Sequence, residues 1–276
     1  MSDNVGIPVW IDGQPADRLP VSDRGLAYGD GLFETILITS RGPVLPDYHL
    51  DRLESGLQRL GLRLSRQQVQ QVLHAYPGFH QPGVVKLVVT AGSGGRGYYR
   101  DDARPVCILS HHPAPSYPAT FYEQGIRVFP CKTRLGRQPL LAGLKHLNRL
   151  EQVLARNEWG SVEDYQEGLI CDLDGRPVEG TFCNLFIVEG DEVVTPLLDN
   201  GGVAGVMRRW LLEQLPAQGL RVKETPVTLE RFRLAGERFF CNSVLGVWPV
   251  AHFEQDHWPA GPVTRLAQQL IRSHFH

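Results

Sequence analysis

Pro113, Pro115 and Pro118 fall within six residues of one another, and no helix or sheet interior runs through such a stretch. Each ring fixes φ, removes a backbone donor and pushes the preceding residue toward extended geometry. The chain therefore reads as two domains, residues 1–112 and 121–276, joined by a linker at 113–120. Its 276 residues give each side enough chain for a core of its own.

In the first part, strand patterns at 7–12 and 14–19 flank a turn at Gly13, and 22–31 reads as a loop. A strand at 33–39 follows, then a turn at Arg41-Gly42. Leu50, Leu53, Leu57 and Leu60 form one apolar stripe, the mark of a helix, closed by Gly61. Ser65 caps a second helix to about residue 75. Strands at 84–91 and 106–110 flank a glycine-rich loop at 92–97. In the second part strands are expected at 126–131, 168–172, 185–188, 193–194, 220–224, 238–241 and 247–250. Helices are expected after Leu147, at 206–215, after the cap Thr228, and over Val263, Leu266, Ala267, Leu270 and Ile271. This order lacks regular β-α alternation, so the fold class is α+β with largely antiparallel sheets.

Twenty-eight basic side chains against 30 acidic ones leave no field that would favour nucleic acid or an anionic membrane. No apolar run reaches the length of a membrane span. Met1 to Asn4 shows no basic region leading into an apolar run, so no signal peptide is expected. Cys107, Cys131, Cys171, Cys183 and Cys241 are odd in number and far apart, and most sit in apolar runs. They read as buried thiols of a reducing cytoplasm, and no histidine spacing suggests a metal site.

Lys145 stands between Leu144 and Leu147, at the mouth of a helical pattern of Leu147, Leu150, Val153 and Leu154. Desolvation disfavours an ammonium and makes the amine nucleophilic near neutral pH; taken alone, the same residue is a surface lysine near a helix start. Gly92-Ser93-Gly94-Gly95-Arg96-Gly97 matches a dinucleotide fingerprint by letter, but Tyr98 to Asp102 does not open a helix, so that reading fails. The segment is either a mobile loop carrying Arg96 and Tyr98 toward an anionic substrate or a plain hairpin connection. Gly205 directly before a helix makes an anion site of the free N–H groups, or a simple connection. Arg52 lies about 100° off the leucine stripe and alone is a solvated arginine. Glu179, between apolar strand segments, is either a buried carboxylate that needs a cationic partner or a strand-end glutamate in water. A lysine, a carboxylate for a pyridine nitrogen and an anion site together are what pyridoxal phosphate requires.

The chain resembles the fold-type IV pyridoxal phosphate enzymes, which include branched-chain aminotransferases, D-amino acid aminotransferases and 4-amino-4-deoxychorismate lyases. The resemblance runs from about Ile7 to the last helix. It rests on Tyr28-Gly29-Asp30-Gly31-Leu32-Phe33-Glu34-Thr35, His49-Leu50-Asp51-Arg52-Leu53, Glu179-Gly180 with Asn184-Leu185-Phe186, Gly205-Val206-Met207-Arg208, and Asn242-Ser243. The stretch from Gly143 to Gln152, with Ser93 to Tyr98, is most similar to the lyases. The resemblance implies a two-domain fold like that of D-amino acid aminotransferases, with a smaller N-terminal α/β domain and a larger C-terminal mixed-sheet domain. It implies pyridoxal 5'-phosphate bound covalently by Lys145, paired at its ring nitrogen with Glu179, and held by Arg52, the N–H groups of Val206 and Met207, Ser243 and Asn148. It further implies a substrate, 4-amino-4-deoxychorismate, whose two carboxylates call for cations: Arg96 and Arg134 are the candidates, with Tyr98 and Phe33 beside them. Thr35 is either a hydroxyl that hydrogen-bonds Lys145 or the departing enolpyruvate, or an ordinary β-branched strand residue. The alternative on the same scaffold is an aminotransferase of D-amino or branched-chain amino acids, and a non-catalytic module is the reading from another class. A homodimer is expected. Two positions depart from the family's transaminases: Arg149 stands where a tyrosine is usual, and Ser243 where threonine is frequent.

Overall fold

The computed structural model describes residues 7–100, 103–161 and 163–275. Met1 to Asn4, read above for a signal peptide, and Asp101 and Asp102, read for a helix start, lie outside them. The chain divides into two compact units. One takes the chain up to Pro115 and returns for Lys145–Asn148; the other takes Ser116–Leu144 and Arg149–Phe275.

The first unit holds β1 (Trp10–Ile11), β2 (Gln14–Pro15), α1 (Arg24–Tyr28), β3 (Gly31–Thr39), β4 (Gly42–Pro43), α2 (Pro46–Leu60), α3 (Arg66–Ala75), β5 (Gly83–Thr90) and β6 (Val106–His112). Its six strands form one antiparallel sheet in the order β2-β1-β6-β5-β3-β4. The leucine stripe faces inward as expected: Leu50, Leu53 and Leu57 are buried, and Leu32 and Ile36 of β3 are buried with them. Ser65 and Gln68 close a reciprocal capping box on α3, worth about 1 kcal/mol. Two local expectations change. The return strand at 14–19 shrinks to Gln14–Pro15, with Pro15 and then Pro20 limiting further pairing. The loop at 22–31 contains α1, whose first N–H groups are taken by the side chain of Asp23.

The second unit holds α4 (Ala119–Glu123), β7 (Ile126–Leu135), α5 (Leu150–Arg156), β8 (Glu167–Asp172), β9 (Pro177–Gly180), β10 (Asn184–Glu189), β11 (Glu192–Thr195), α6 (Val206–Ala217), β12 (Arg221–Glu224), α7 (Leu229–Leu234), β13 (Glu237–Asn242), β14 (Gly246–Phe253), β15 (Asp256–His257) and α8 (Pro262–Phe275). The strand path runs β12-β11-β10-β13-β14-β7-β8-β9, and β9 pairs again with β10, so the path closes on itself. The closing contact is Glu179 opposite Asn184. Three pairings are parallel, β11–β12, β7–β14 and β7–β8, which makes the sheet mixed. Ile126, Val128, Leu169, Leu185, Ile187, Phe240, Trp248 and Val250 form its core. All five cysteines are unpaired and buried. Among the described residues no helix is long and apolar enough to cross a membrane, and among them no group of three or more His, Cys, Asp or Glu side chains could hold a metal ion.

Candidate active site

Residues 145–148 lie along β3 of the first unit. Phe33 N–H donates to the Lys145 carbonyl at 3.0 Å, and Leu147 N–H to the Gly31 carbonyl at 3.0 Å; His146 bridges to Leu32. Gly31 permits this approach, because a Cβ there would stand 2.2 Å from the Val89 carbonyl and 2.9 Å from a Leu147 methyl. Lys145 is therefore in an extended segment ahead of α5, which begins at Leu150 and not directly after Leu147 as the spacing suggested. It is half-buried, and its Nζ sits 4.4 Å from the centre of the Phe33 ring, an arrangement that suits a cation over a π face. Lys86 Nζ lies 5.5 Å from the same ring. Strand alternation puts Thr35 on the face of Phe33, opposite Lys86 in register. Asn148 donates from Nδ2 to the Gly29 carbonyl at 3.1 Å.

Alternation puts Glu34 on the other face of β3. There it is 1% exposed and meets two side chains of α2, His49 Nδ1 at 2.5 Å and Arg52 Nε at 2.8 Å. Arg52 Nη2 adds a short second bond to the same carboxylate. Burial raises the Glu34 carboxyl, but the charge of Arg52 and the hydrogen bonds of His49 and Arg52 outweigh it and bring it to about 2. Burial lowers His49 below its ordinary range, against the pull of Glu34. Arg52 is thus not the solvated arginine its sequence position suggests.

The loop at 92–97 displays Arg96 and Tyr98, both exposed. Its following backbone is tied down. Buried Arg24 donates to the carbonyls of Gly97 at 2.9 Å and Tyr98 at 2.8 Å, and also to Asp30. Arg100 pairs with Asp30 as well. The expected mobile loop is therefore anchored at its C-terminal end.

In the second unit Glu179 is 4% exposed, which rules out a strand-end glutamate in water. Its Oε2 accepts from Val203 N–H at 2.7 Å, and its Oε1 accepts from Gln152 Nε2 at 3.3 Å. Residues 203–205 then run into the N-terminus of α6. Asn184 holds that run by donating from Nδ2 to the Val203 carbonyl at 2.8 Å. No side chain caps α6, so the N–H groups of Val206 and Met207 have no intrahelical acceptor. Ser243 is buried and follows β13, whose Cys241 pairs with Asn184. Arg149 is pressed below its ordinary range by burial, against the pull of Glu179 and Glu151. Arg134 is exposed and donates to its own strand, to the carbonyls of Cys131 at 2.5 Å and Thr133 at 3.5 Å.

Sequence reasoning passed over Glu34, His49, Arg24 and Glu167. Glu167 is fully buried and accepts from Thr181 N–H at 2.8 Å, Thr181 Oγ1 at 2.5 Å and Gly168 N–H at 2.8 Å. It thereby fixes the turn after Glu179, and burial raises its carboxyl in spite of those donors. A charged residue inside an apolar strand pattern was the signal available for Glu34; Glu167, at the start of its strand after Gln166, gave none. For His49 with Arg52 it was their i, i+3 spacing.

Residues 31–253 match the amino-transferase class IV family. The chain is 37% identical over 267 residues to the aminodeoxychorismate lyase of Vibrio harveyi, covering 94% of this chain and 97% of that one. It superposes on the crystal structure of 4-amino-4-deoxychorismate lyase from Pseudomonas aeruginosa with a TM-score of 0.93 and 48% identity, over 96% of this chain and 98% of that one. The Escherichia coli branched-chain amino acid aminotransferase shares the fold at a TM-score of 0.84 and 23% identity, over 98% of this chain and 95% of that one.

Proposed function

The chain belongs to the amino-transferase class IV family, and from that premise we propose that it is a pyridoxal 5'-phosphate-dependent lyase. It converts 4-amino-4-deoxychorismate to 4-aminobenzoate and pyruvate, on the route to folate. The likeness to the two lyases carries this reading, because it spans nearly the whole of each; the likeness to the aminotransferase is one of fold alone.

The residues fit the cofactor. Lys145 is a half-buried amine over an aromatic face. Glu179 is a buried carboxylate that accepts from a backbone N–H and an amide, and a protonated ring nitrogen suits such a group. The uncapped start of α6 suits a phosphate. In this reading Lys145 holds the cofactor covalently and Glu179 pairs with its ring nitrogen. Arg52, the N–H groups of Val206 and Met207, and Ser243 hold its phosphate, and Asn148 adds a further contact.

Pyridoxal phosphate, when bound, supplies a carbonyl for the substrate amine and a ring that withdraws electrons. Lys145, released as a free amine, removes the proton from the carbon that bears the substrate nitrogen. Glu179 keeps the ring nitrogen protonated, which lowers the cost of that removal. The C–O bond on the neighbouring carbon then breaks, and the six-membered ring becomes aromatic. Lys145, now an ammonium, returns a proton to the departing enolpyruvate, which leaves as pyruvate. Thr35, on the strand face of Phe33, orients Lys145 or the leaving group. Arg96, Tyr98, Phe33 and Arg134 are assigned to the substrate, with Arg134 the weakest, since its guanidinium already serves its own strand. The protein works as a homodimer, supported by the exposed apolar side chains of Leu150, Val153 and Leu154 on one face of α5. A cytoplasmic setting is supported by five unpaired thiols.

The test is direct. Purified protein should absorb in the visible, and borohydride should fix the cofactor on the peptide carrying Lys145. It should release 4-aminobenzoate and pyruvate from 4-amino-4-deoxychorismate. Brisk keto-acid formation from D-alanine or L-leucine, with no 4-aminobenzoate, would replace this reading with the aminotransferase one. Label on Lys86, Lys132 or Lys223 would move the covalent role elsewhere.

A further inference from the structure

We propose that Glu34 and His49 are positioning residues, which fix the plane of the Arg52 guanidinium for the phosphate of the cofactor; the proposal rests on the cofactor reading above.

The geometry is a relay of three side chains from two elements. Glu34 on β3 takes the Nε and Nη2 edge of Arg52 on α2. A carboxylate that meets two nitrogens of a guanidinium fixes its plane as well as its place. A free arginine side chain carries considerable rotamer entropy, and a fork held in advance has already lost most of it. Glu34 is itself held: the oxygen that meets Arg52 Nη2 also meets His49 Nδ1 at 2.5 Å.

His49 has no other evident task. It is 1% exposed, and its second nitrogen, Nε2, has no hydrogen-bond partner among the described residues. A buried polar atom left so is costly, and a leucine of similar volume would avoid that cost. The one hydrogen bond that offsets it goes to Glu34. Burial keeps the imidazole neutral against the pull of Glu34, with Arg52 and Lys145 opposing its charging as well. A neutral ring facing a carboxylate carries its proton on Nδ1 and donates it. The three groups therefore carry one negative and one positive charge and are oriented before any ligand arrives.

A merely structural link between β3 and α2 would have the same contacts. The two roles separate on the ligand. A positioning role acts on the phosphate alone, so it affects pyridoxal phosphate and spares pyridoxal, which lacks that group. A structural role affects both. The measurement is the Kd of each compound for the full-length chain freed of cofactor, followed by absorbance. His49→Leu should raise the Kd for pyridoxal phosphate about tenfold or more and leave that for pyridoxal unchanged. His49→Asn, which keeps a donor near the place of Nδ1, should recover most of the loss. In an Arg52→Lys background, where no fork remains to be held, His49→Leu should add little. If His49→Leu does not fold, Glu34→Asp draws the same charge back by one methylene and should show the same selective loss. Equal weakening of both compounds, no weakening, or a full effect of His49→Leu in the Arg52→Lys chain would overturn the proposal while the cofactor reading stands. A wild-type chain that binds neither compound overturns the cofactor reading and this proposal with it.

Discussion

Glu179 and Glu34 are both carboxylates buried in strands, and the sequence marked only Glu179 as a candidate for the site. Glu179 lies in a motif flanked by glycine and apolar residues, where a carboxylate has to find a partner. Glu34 lies between Phe33 and Thr35, and strand alternation turns it to the opposite face. Its partners come from α2, beyond a turn and a second strand, and no spacing within β3 announces them. Lys145 was legible by its residue type and apolar neighbours, but not by its conformation. The bond from Phe33 N–H to its carbonyl is a contact between segments more than a hundred residues apart. At this scale Glu179→Gln is the telling substitution. An amide can still accept from Val203 N–H, so the fold and a bound cofactor should persist. It cannot stabilise a protonated ring nitrogen, and loss of a hydrogen bond to a charged group is worth about 1.5–3 kcal/mol. Lyase turnover should fall about tenfold or more, with an unchanged melting temperature. Wild-type turnover in Glu179→Gln would show that the carboxylate only anchors Val203.

Elements were legible where a local rule decides them. Ser65 with Gln68 starts α3, Thr228 starts α7, and Gly61 closes α2, all as their spacing predicts. Helix α1 was not, because it has five residues and a glycine at Gly25 and is held by Asp23. Helix α5 was half legible. It begins at Leu150, and the residue it buries is Ala155, while Leu150, Val153 and Leu154 stand 75%, 50% and 61% exposed. Its apolar periodicity is real, but the face it marks is turned away from β7 and β8. Helix α6 is the element on which the proposed phosphate site depends, and its approach is tight. A Cβ at Gly205 would lie 2.0 Å from Asn184 Oδ1, although its φ of −64° suits any residue. Gly205→Ala must therefore push Asn184 off the Val203 carbonyl, which loosens the run between Glu179 and α6. Overpacking of this kind costs about 1–3 kcal/mol. The melting temperature should drop by a few degrees, and pyridoxal phosphate should bind about tenfold more weakly. Unaltered affinity in a folded Gly205→Ala chain would remove the α6 N-terminus from the phosphate site.

For the molecule as a whole, the sequence conveyed an α+β fold, but not how the second sheet closes. Closure needs β9 beside β10 and parallel pairings of β7 with β8 and β14, all set by contacts that composition and periodicity do not encode. The exposed stripe of α5 has its meaning at this scale. Leu150, Val153 and Leu154 recur at i, i+3 and i+4, the pattern of a helix face that expects cover. Leu140, 80% exposed in the same unit, adds to the apolar surface. A lone leucine on a surface needs no explanation, but a helix face of three does. If a second copy covers it, the wild-type chain should sediment at twice its 30.9 kDa. The double substitution Leu150→Glu with Leu154→Glu puts two carboxylates on that face, and burying them unpaired would cost several kcal/mol in the dimer. The monomer itself loses almost nothing, since both side chains already meet water in it. Sedimentation of the double variant at micromolar concentration should therefore show a single chain with an unchanged circular dichroism spectrum. A variant that still sediments as a dimer would place the interface on another surface, and a wild type that sediments as a single chain would remove the homodimer altogether.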